Sequence, residues 1–149
     1  MGIMDIIKGE RIYLDTNIFI YALEAYPGYV STLTSVFAAI DGGIIKAVTS
    51  ELTLAEVLIK PMMDESDGLK NIYLETLQSS EGLSVIPINR KILIEAARLR
   101  AMSETLHLPD AIHLATARVH HCTFFLTNDK RLRGLPDFNV VLLSEIDYK

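Results

Sequence analysis

Short apolar segments alternate with segments of helical periodicity along the whole of this 149-residue chain. The apolar segments are rich in β-branched and aromatic residues, as is typical of buried strands. The segments between them repeat apolar residues at i, i+3 and i+4, as is typical of amphipathic helices. The alternation predicts an α/β domain with a mostly parallel sheet. We expect strands over residues 11–14, 44–48, 83–88, 123–126 and 139–143.

The predicted helices lie between these strands and have recognisable ends. Asn89 is a suitable cap for the fifth helix, and Pro109 suits the first turn of the sixth. Gly42 and Gly43 indicate the end of the second helix, and Pro61 predicts the end of the third. We expect helices over residues 17–25, 29–41, 52–59, 69–77, 90–102 and 109–120.

Composition limits the class of protein. The length fits one domain over residues 1–149, and half of the residues are hydrophobic, which excludes a disordered chain. The formal charge of −5 argues against a protein that coats itself with nucleic acid. Cys122 is the single cysteine, which excludes an internal disulfide and a Cys-based zinc site. We expect a cytoplasmic protein with no signal peptide and no membrane span.

Two predicted strands are followed by an aspartate, Asp15 after the first and Asp129 after the fourth. In open α/β sheets the binding site lies beyond the carboxyl ends of the strands. Aspartate is also a common turn or helix-capping residue. For each residue taken alone, both interpretations stay open.

Two further acids lie in predicted helices. Asp110 falls in the first turn of its helix, where the helix dipole alone explains a carboxylate. Glu56 lies on an otherwise apolar helix face, where a charge is unexpected. Thr53 and Glu56 match a capping box, but Ser50 is the better cap for this helix. Glu51 is a competing acid that the helix dipole explains.

Together, these four acids make a stronger case than any one of them. Carboxylate oxygens are the ligands that Mg²⁺ and Mn²⁺ select. Several carboxylates at one edge of a sheet would repel each other unless a cation neutralised them. Such a cation lowers the pKa of its bound water and stabilises charge on a phosphate. We therefore expect metal-assisted attack of water on a phosphodiester.

Four segments, by their order and spacing, resemble the PIN domain, and within it the small VapC-type toxins of prokaryotic toxin–antitoxin pairs. These segments are 13–17 (YLDTN), 50–58 (SELTLAEVL), 108–117 (LPDAIHLATA) and 126–132 (LTNDKRL). Each segment is short, but the resemblance covers nearly the whole chain.

This resemblance implies a three-layer α/β/α sandwich with a parallel sheet of four or five strands. It implies Mg²⁺- or Mn²⁺-dependent RNA cleavage that leaves a 5′-phosphate and a 3′-hydroxyl. It further implies a homodimer and a cognate antitoxin partner. Asn17 and Thr127 would orient carboxylates or water. By motif position, the catalytic and metal-binding residues would be Asp15, Glu56, Asp110 and Asp129.

Four basic or titratable residues are candidates for contact with RNA. Lys130, Arg131 and Arg133 form a basic cluster that could hold the RNA backbone, or could equally be a solvated helical turn. His113 lies three residues after Asp110 and so shares its helix face. This histidine either touches the substrate, pairs with an acid, or simply packs where the helix meets the sheet.

The sequence favours an endoribonuclease toxin and leaves two alternatives open. One is a PIN nuclease that processes RNA without an antitoxin. The other is a non-catalytic PIN domain that binds metal or a partner. The acidic charge does not exclude the nuclease, because setting aside the four site acids leaves 15 acids against 14 basic residues.

Overall fold

A computed structural model describes residues 2–146 of the chain. Its sheet contains five strands in the order β3-β2-β1-β4-β5, and every neighbouring pair is parallel. The parallel α/β prediction is therefore confirmed. The strands are β1 (Arg11–Leu14), β2 (Lys46–Ser50), β3 (Leu83–Ile86), β4 (Phe124–Thr127) and β5 (Val140–Leu142).

Helices cover both faces of this sheet. Successive side chains of a strand point to opposite faces. Ile12 and Leu14 of β1 accordingly pack with the first five helices, and Tyr13 packs with the last two. This is the predicted α/β/α sandwich. The helices are α1 (Ile3–Ile7), α2 (Thr16–Leu23), α3 (Val30–Asp41), α4 (Glu51–Met63), α5 (Asp67–Thr76), α6 (Arg90–Met102) and α7 (Leu108–Val119).

Several predicted helix ends are confirmed by their hydrogen bonds. Ser50 caps α4 by accepting a hydrogen bond from the amide of Leu52 at 3.0 Å. Asn89 caps α6 by accepting one from the amide of Ile92 at 2.9 Å. Gly43 follows α3 with a φ of +77°, a conformation that glycine adopts without strain. The alternative capping box at Thr53 is wrong, because α4 already begins at Glu51.

The predicted end of α4 at Pro61 is wrong. Proline removes only its own N–H bond, and the residues beyond it still bond backwards. The amide of Asp64 donates to the carbonyl of Lys60 at 2.9 Å, and that of Ser66 donates to the carbonyl of Pro61 at 2.8 Å. The Pro61 ring is buried, so the helix continues to Met63.

The second strand begins two residues later than predicted. The amide of Ile44 donates to the carbonyl of Ala39 at 2.9 Å, so this exposed residue belongs to the end of α3 and not to the strand. Thr49 and Ser50 extend the ladder with β3 despite their polarity. The hydroxyl of Thr49 is satisfied by the carbonyl of Leu14 at 2.9 Å, which makes its burial tolerable.

The structure adds one helix that the sequence interpretation omitted, α1, which packs Ile3 and Ile7 into the core. Within residues 2–146, no helix has both the length and the apolarity to cross a membrane.

Candidate active site

The register of β1 and β4 brings the first acid to the carboxyl edge of the sheet. Leu14 pairs with Leu126, so the residues that follow them, Asp15 just beyond β1 and Thr127 at the end of β4, lie side by side. The amide of Asp15 donates to the carbonyl of Leu126 at 3.0 Å. The hydroxyl of Thr127 donates to Oδ2 of Asp15 at 2.6 Å. Both side chains are buried.

The predicted supporting residues tie the two strand ends together. Thr127 also accepts the amide of Asp129 at 3.1 Å and the side-chain amide of Asn17 at 3.3 Å. Oδ1 of Asn17 in turn accepts the amide of Asn128 at 3.2 Å. The loop that carries Asp129 is therefore fixed relative to β1 through one hydroxyl and one side-chain amide.

The sequence left open whether Asp15 is a helix cap or a residue of the site, and its contacts fit both interpretations. Asp15 caps α2, since Oδ1 accepts the amide of Thr16 at 2.9 Å. Burial raises the pKa of Asp15 above its ordinary value, although the nearby His113 and hydrogen bonds from Thr127 and Thr16 oppose that rise. A carboxylate that is this poorly solvated gains more than an exposed one from a neighbouring positive charge.

Glu56 approaches Asp15 from α4, and His113 of α7 lies between the two acids. Nε2 of His113 is 2.6 Å from Oε1 of Glu56 and 3.8 Å from Oδ1 of Asp15. The hydroxyl of Thr16 donates to the same Oε1 at 2.7 Å. Burial favours the neutral form of Glu56, but the hydrogen bonds from His113 and Thr16 outweigh it and lower its pKa. The competing acid Glu51 is exposed.

His113 is buried and is satisfied at both ring nitrogens. Nδ1 lies 2.6 Å from the hydroxyl of Tyr13, a donor whose pKa is raised by burial and by the charge of Asp15. In the tautomer that carries its hydrogen on Nε2, the His113 ring accepts from Tyr13 at Nδ1 and donates to Glu56 at Nε2. The contacts of His113 match two of its three predicted roles, pairing with an acid and packing where the helix meets the sheet. The acids are Glu56 and Asp15.

The other two acids form a second pair around Arg131. Nη2 of Arg131 is 3.3 Å from Oδ1 of Asp110 and 2.5 Å from Oδ2 of Asp129. Asp110 also helps to cap α7 as the third residue of a capping box, because its Oδ2 accepts the amide of the N-cap residue His107 at 3.0 Å. Asp129 caps a short 3₁₀ turn, Lys130–Leu132, by accepting the amide of Arg131 at 3.0 Å.

The basic cluster therefore divides. Arg131 is turned toward the acids, whereas Arg133 pairs with Glu145, its Nη2 lying 2.8 Å from Oε1. Lys130 is exposed.

The donor set fits a hard divalent cation, because all four predicted ligands are carboxylates. They lie as two pairs, Asp15 with Glu56 and Asp110 with Asp129, bridged by His113 and Arg131 respectively. Across the described residues, no three His, Cys, Asp or Glu side chains gather closely enough to hold a metal as they stand. Both pairs must therefore be drawn together for one cation to use them all.

Sequence reasoning missed two residues of this network, Tyr13 and Thr16. Tyr13 was assigned only to an apolar strand, although its hydroxyl reaches His113. Thr16 lies between two residues that were singled out, yet its contact with Glu56 spans 40 positions of sequence. A buried histidine on an alanine-rich helix is a usable signal, because it requires polar partners from the neighbouring strand.

Comparisons with known proteins agree with this fold. The PIN domain family model matches residues 12–137. No curated protein sequence matches the chain. Several solved structures share its fold.

VapBC2 from Rickettsia felis, bound to a DNA fragment from its promoter, has a TM-score of 0.69 at 18% identity, covering 89% of this chain and 98% of that one. A toxin–antitoxin complex from Klebsiella pneumoniae has a TM-score of 0.64 at 27% identity, covering 91% and 99%. VapC20 from Mycobacterium tuberculosis, a toxin that cleaves the sarcin–ricin loop, has a TM-score of 0.64 at 13% identity, covering 93% and 98%.

Proposed function

The chain belongs to the PIN domain family, and from that premise we propose that it is an Mg²⁺- or Mn²⁺-dependent endoribonuclease, the toxin of a toxin–antitoxin pair. One observation carries the proposal. Two pairs of acids, drawn from the ends of β1 and β4 and from the helices α4 and α7, lie beyond the carboxyl edge of one sheet, where Thr127 contacts both Asp15 and the amide of Asp129. The proposal assigns the activity to a single domain over residues 1–149.

The proposed ligands are Asp15, Glu56, Asp110 and Asp129. A divalent cation held there supplies positive charge to the phosphate and acidifies the attacking water. The protein's own contribution is to hold the carboxylates ionised and oriented. The lowered pKa of Glu56 keeps it charged at neutral pH, and Thr127 fixes the orientation of Asp15.

The proposed reaction needs no nucleophilic side chain. Cys122 precedes β4 and so lies at the opposite, amino edge of the sheet. Burial raises the pKa of its thiol to about 12, so it is protonated and unreactive at neutral pH. Hydrolysis by water leaves a 5′-phosphate and a 3′-hydroxyl on the RNA.

The proposed partners follow from the family and from the structures that resemble this chain. The solved structures from R. felis and K. pneumoniae are complexes of a toxin with its antitoxin. We assign this chain an antitoxin partner, a homodimeric state and a cytoplasmic location. Lys130 and Arg133 are the proposed contacts to the RNA backbone, since both are exposed, whereas Arg131 contacts the site acids in this structure and His113 is buried.

Cleavage of structured RNA tests the metal chemistry. Wild type should cleave with Mn²⁺ and not with EDTA, and Asp15→Asn should lower the rate on the order of 100-fold, as loss of an electrostatic stabiliser does. Glu56→Gln should behave like Asp15→Asn. Glu51→Gln changes an exposed acid on the same helix and should cleave like wild type. Cleavage that survives EDTA, or equal activity of all the variants, overturns the proposal.

Growth on expression separates the toxin from the alternatives. The toxin should arrest growth, and co-expression of the small protein encoded beside it should relieve that arrest. RNA cleavage in vitro with harmless expression favours an RNA-processing enzyme without an antitoxin. The absence of both activities favours a non-catalytic binding domain.

A further inference from the structure

The guanidinium of Arg131 contacts three of the four carboxylate oxygens of the second acid pair. Nε and Nη2 form a two-pronged contact with Asp129, at 3.1 Å to Oδ1 and 2.5 Å to Oδ2. Nη2 also reaches Oδ1 of Asp110 at 3.3 Å, while Oδ2 of Asp110 is taken by the amide of His107. All four oxygens of the two carboxylates are thus engaged.

A cation that uses these carboxylates must displace that guanidinium. A divalent ion needs close oxygen ligands and is repelled by an adjacent positive charge. This agrees with the absence, across the described residues, of any three acidic, histidine or cysteine side chains placed to hold a metal. The second pair is in this state filled by the protein's own cation.

We propose that Arg131 is a built-in competitor of the divalent cation, a side chain that closes half of the site until metal displaces it. The inference rests on the proposed function, because it takes Asp110 and Asp129 as metal ligands. Its consequence is that the protein binds Mn²⁺ more weakly than its four acids alone would.

The Lys130–Leu132 turn can stay folded when the side chain of Arg131 moves away from the two acids. The side chain of Arg131 is 46% exposed, and exposed ion pairs contribute little net energy. The turn itself is held by main-chain amides that donate to side-chain oxygens, the amide of Arg131 to Oδ1 of Asp129 and the amide of Asp129 to Oγ1 of Thr127. Leu132 anchors it in the core. Truncating Arg131 therefore leaves the fold intact.

Direct Mn²⁺ binding, measured by calorimetry on the full chain without RNA, tests the competition. Arg131→Ala should bind Mn²⁺ about 5- to 30-fold more tightly than wild type, within the usual range of coupling between two sites. Arg131→Lys keeps the positive charge but lacks the two-pronged guanidinium, so its Mn²⁺ affinity should lie between those of wild type and Arg131→Ala. Arg133→Ala removes a positive charge from the same turn, where it pairs with Glu145, and should match wild type.

Melting temperatures measured with and without Mn²⁺ provide a second test, because they distinguish a competitor of the metal from an arginine with only a structural role. Removing Arg131 leaves Asp110 and Asp129 repelling each other, so metal-free Arg131→Ala should melt below wild type. Saturating Mn²⁺ should remove that difference, because the cation replaces the guanidinium. An arginine with only a structural role would lower both melting temperatures equally.

The outcomes separate this inference from the function on which it rests. If wild type binds Mn²⁺ and Arg131→Ala binds it equally or more weakly, the competition is refuted and the nuclease proposal stands. If Arg131→Lys binds Mn²⁺ as wild type does while Arg131→Ala binds it more tightly, the positive charge alone weakens metal binding. The two-pronged contact of Arg131 with Asp129 then has no role in the competition. If no variant binds Mn²⁺, both ideas fail together.

Discussion

Asp15, Asp110 and Asp129 each cap a helix or turn and also lie in the candidate site. A cap engages one carboxylate oxygen through a main-chain amide, which orients the group and leaves its other oxygen to a second partner. For Asp15 that partner is Thr127, and for Asp110 it is Arg131. The capping and site interpretations are therefore compatible, and the cap is the device that aims the carboxylate.

His113 is the residue whose substitution best tests this positioning. His113→Asn places an amide near the position of Nδ1, within reach of Tyr13 but short of Glu56. His113→Gln extends it toward the position of Nε2. We expect His113→Asn to lower cleavage about 10- to 100-fold, as loss of a partner behind a metal ligand does, and His113→Gln to recover part of it.

The pH profile distinguishes positioning from simple loss of structure. The hydrogen bond from His113 helps to lower the pKa of Glu56, so its loss should raise that pKa. A glutamate with a higher pKa is protonated at a higher pH, so the acidic limb of kcat/KM should move upward in His113→Asn. If the limb stays where it is while the rate falls, His113 does not act through Glu56.

At the scale of elements, the close approach of α3 to the start of β3 requires a glycine at position 82. Gly82 precedes β3 and lies against the end of α3, where an added Cβ would stand 2.5 Å from the carbonyl oxygen of Ile40. Main-chain atoms cannot yield as a flexible side chain can. We expect Gly82→Ala to lower the free energy of unfolding by about 1–3 kcal/mol, the usual cost of overpacking.

A second glycine provides the matched control for this prediction. Gly68 lies in the first turn of α5, and an added Cβ there meets nothing within 4 Å. Gly68→Ala should leave stability unchanged or raise it by up to about 1 kcal/mol, because alanine is the better helix former. Urea unfolding of the two variants measures both effects, and equal destabilisation would contradict the steric argument.

At the scale of the whole molecule, a buried tyrosine links α5 to α2. The hydroxyl of Tyr73 donates to Oε2 of Glu24 at 2.6 Å. Burial and this bond raise the pKa of Tyr73 above its ordinary value. In the unfolded chain a tyrosine loses its proton near pH 10. Above that pH the folded state holds a proton that the unfolded state has released, so folding becomes less favourable as pH rises.

Replacing Tyr73 should make the protein less sensitive to alkali. Wild type should lose stability above about pH 10 more steeply than Tyr73→Phe, by up to about 1.4 kcal/mol per pH unit. At neutral pH the variant should be the less stable, because it lacks the bond to Glu24. Urea unfolding between about pH 8 and 11 measures both slopes. Parallel slopes would show that Tyr73 does not carry the alkaline sensitivity.

The sequence by itself determined the order of strands and helices, their alternation and the positions of the four acids. Those follow from periodicity, from capping residues such as Ser50 and Asn89, and from acids placed at strand ends, all of which are local signals. Pro61 and the start of β2 were misplaced because the surroundings decided them: a buried proline ring, and an amide that terminates α3.

Only the tertiary structure decided which charged groups meet. His113 was expected to share a face with Asp110, yet it lies between Asp15 and Glu56. Arg131 was a candidate for holding RNA, yet its guanidinium spans Asp110 and Asp129. Arg131 and Asp129 are two positions apart, but the other partners are at least 21 positions apart and carry no local signal of their pairing, because strand register and helix packing set those distances.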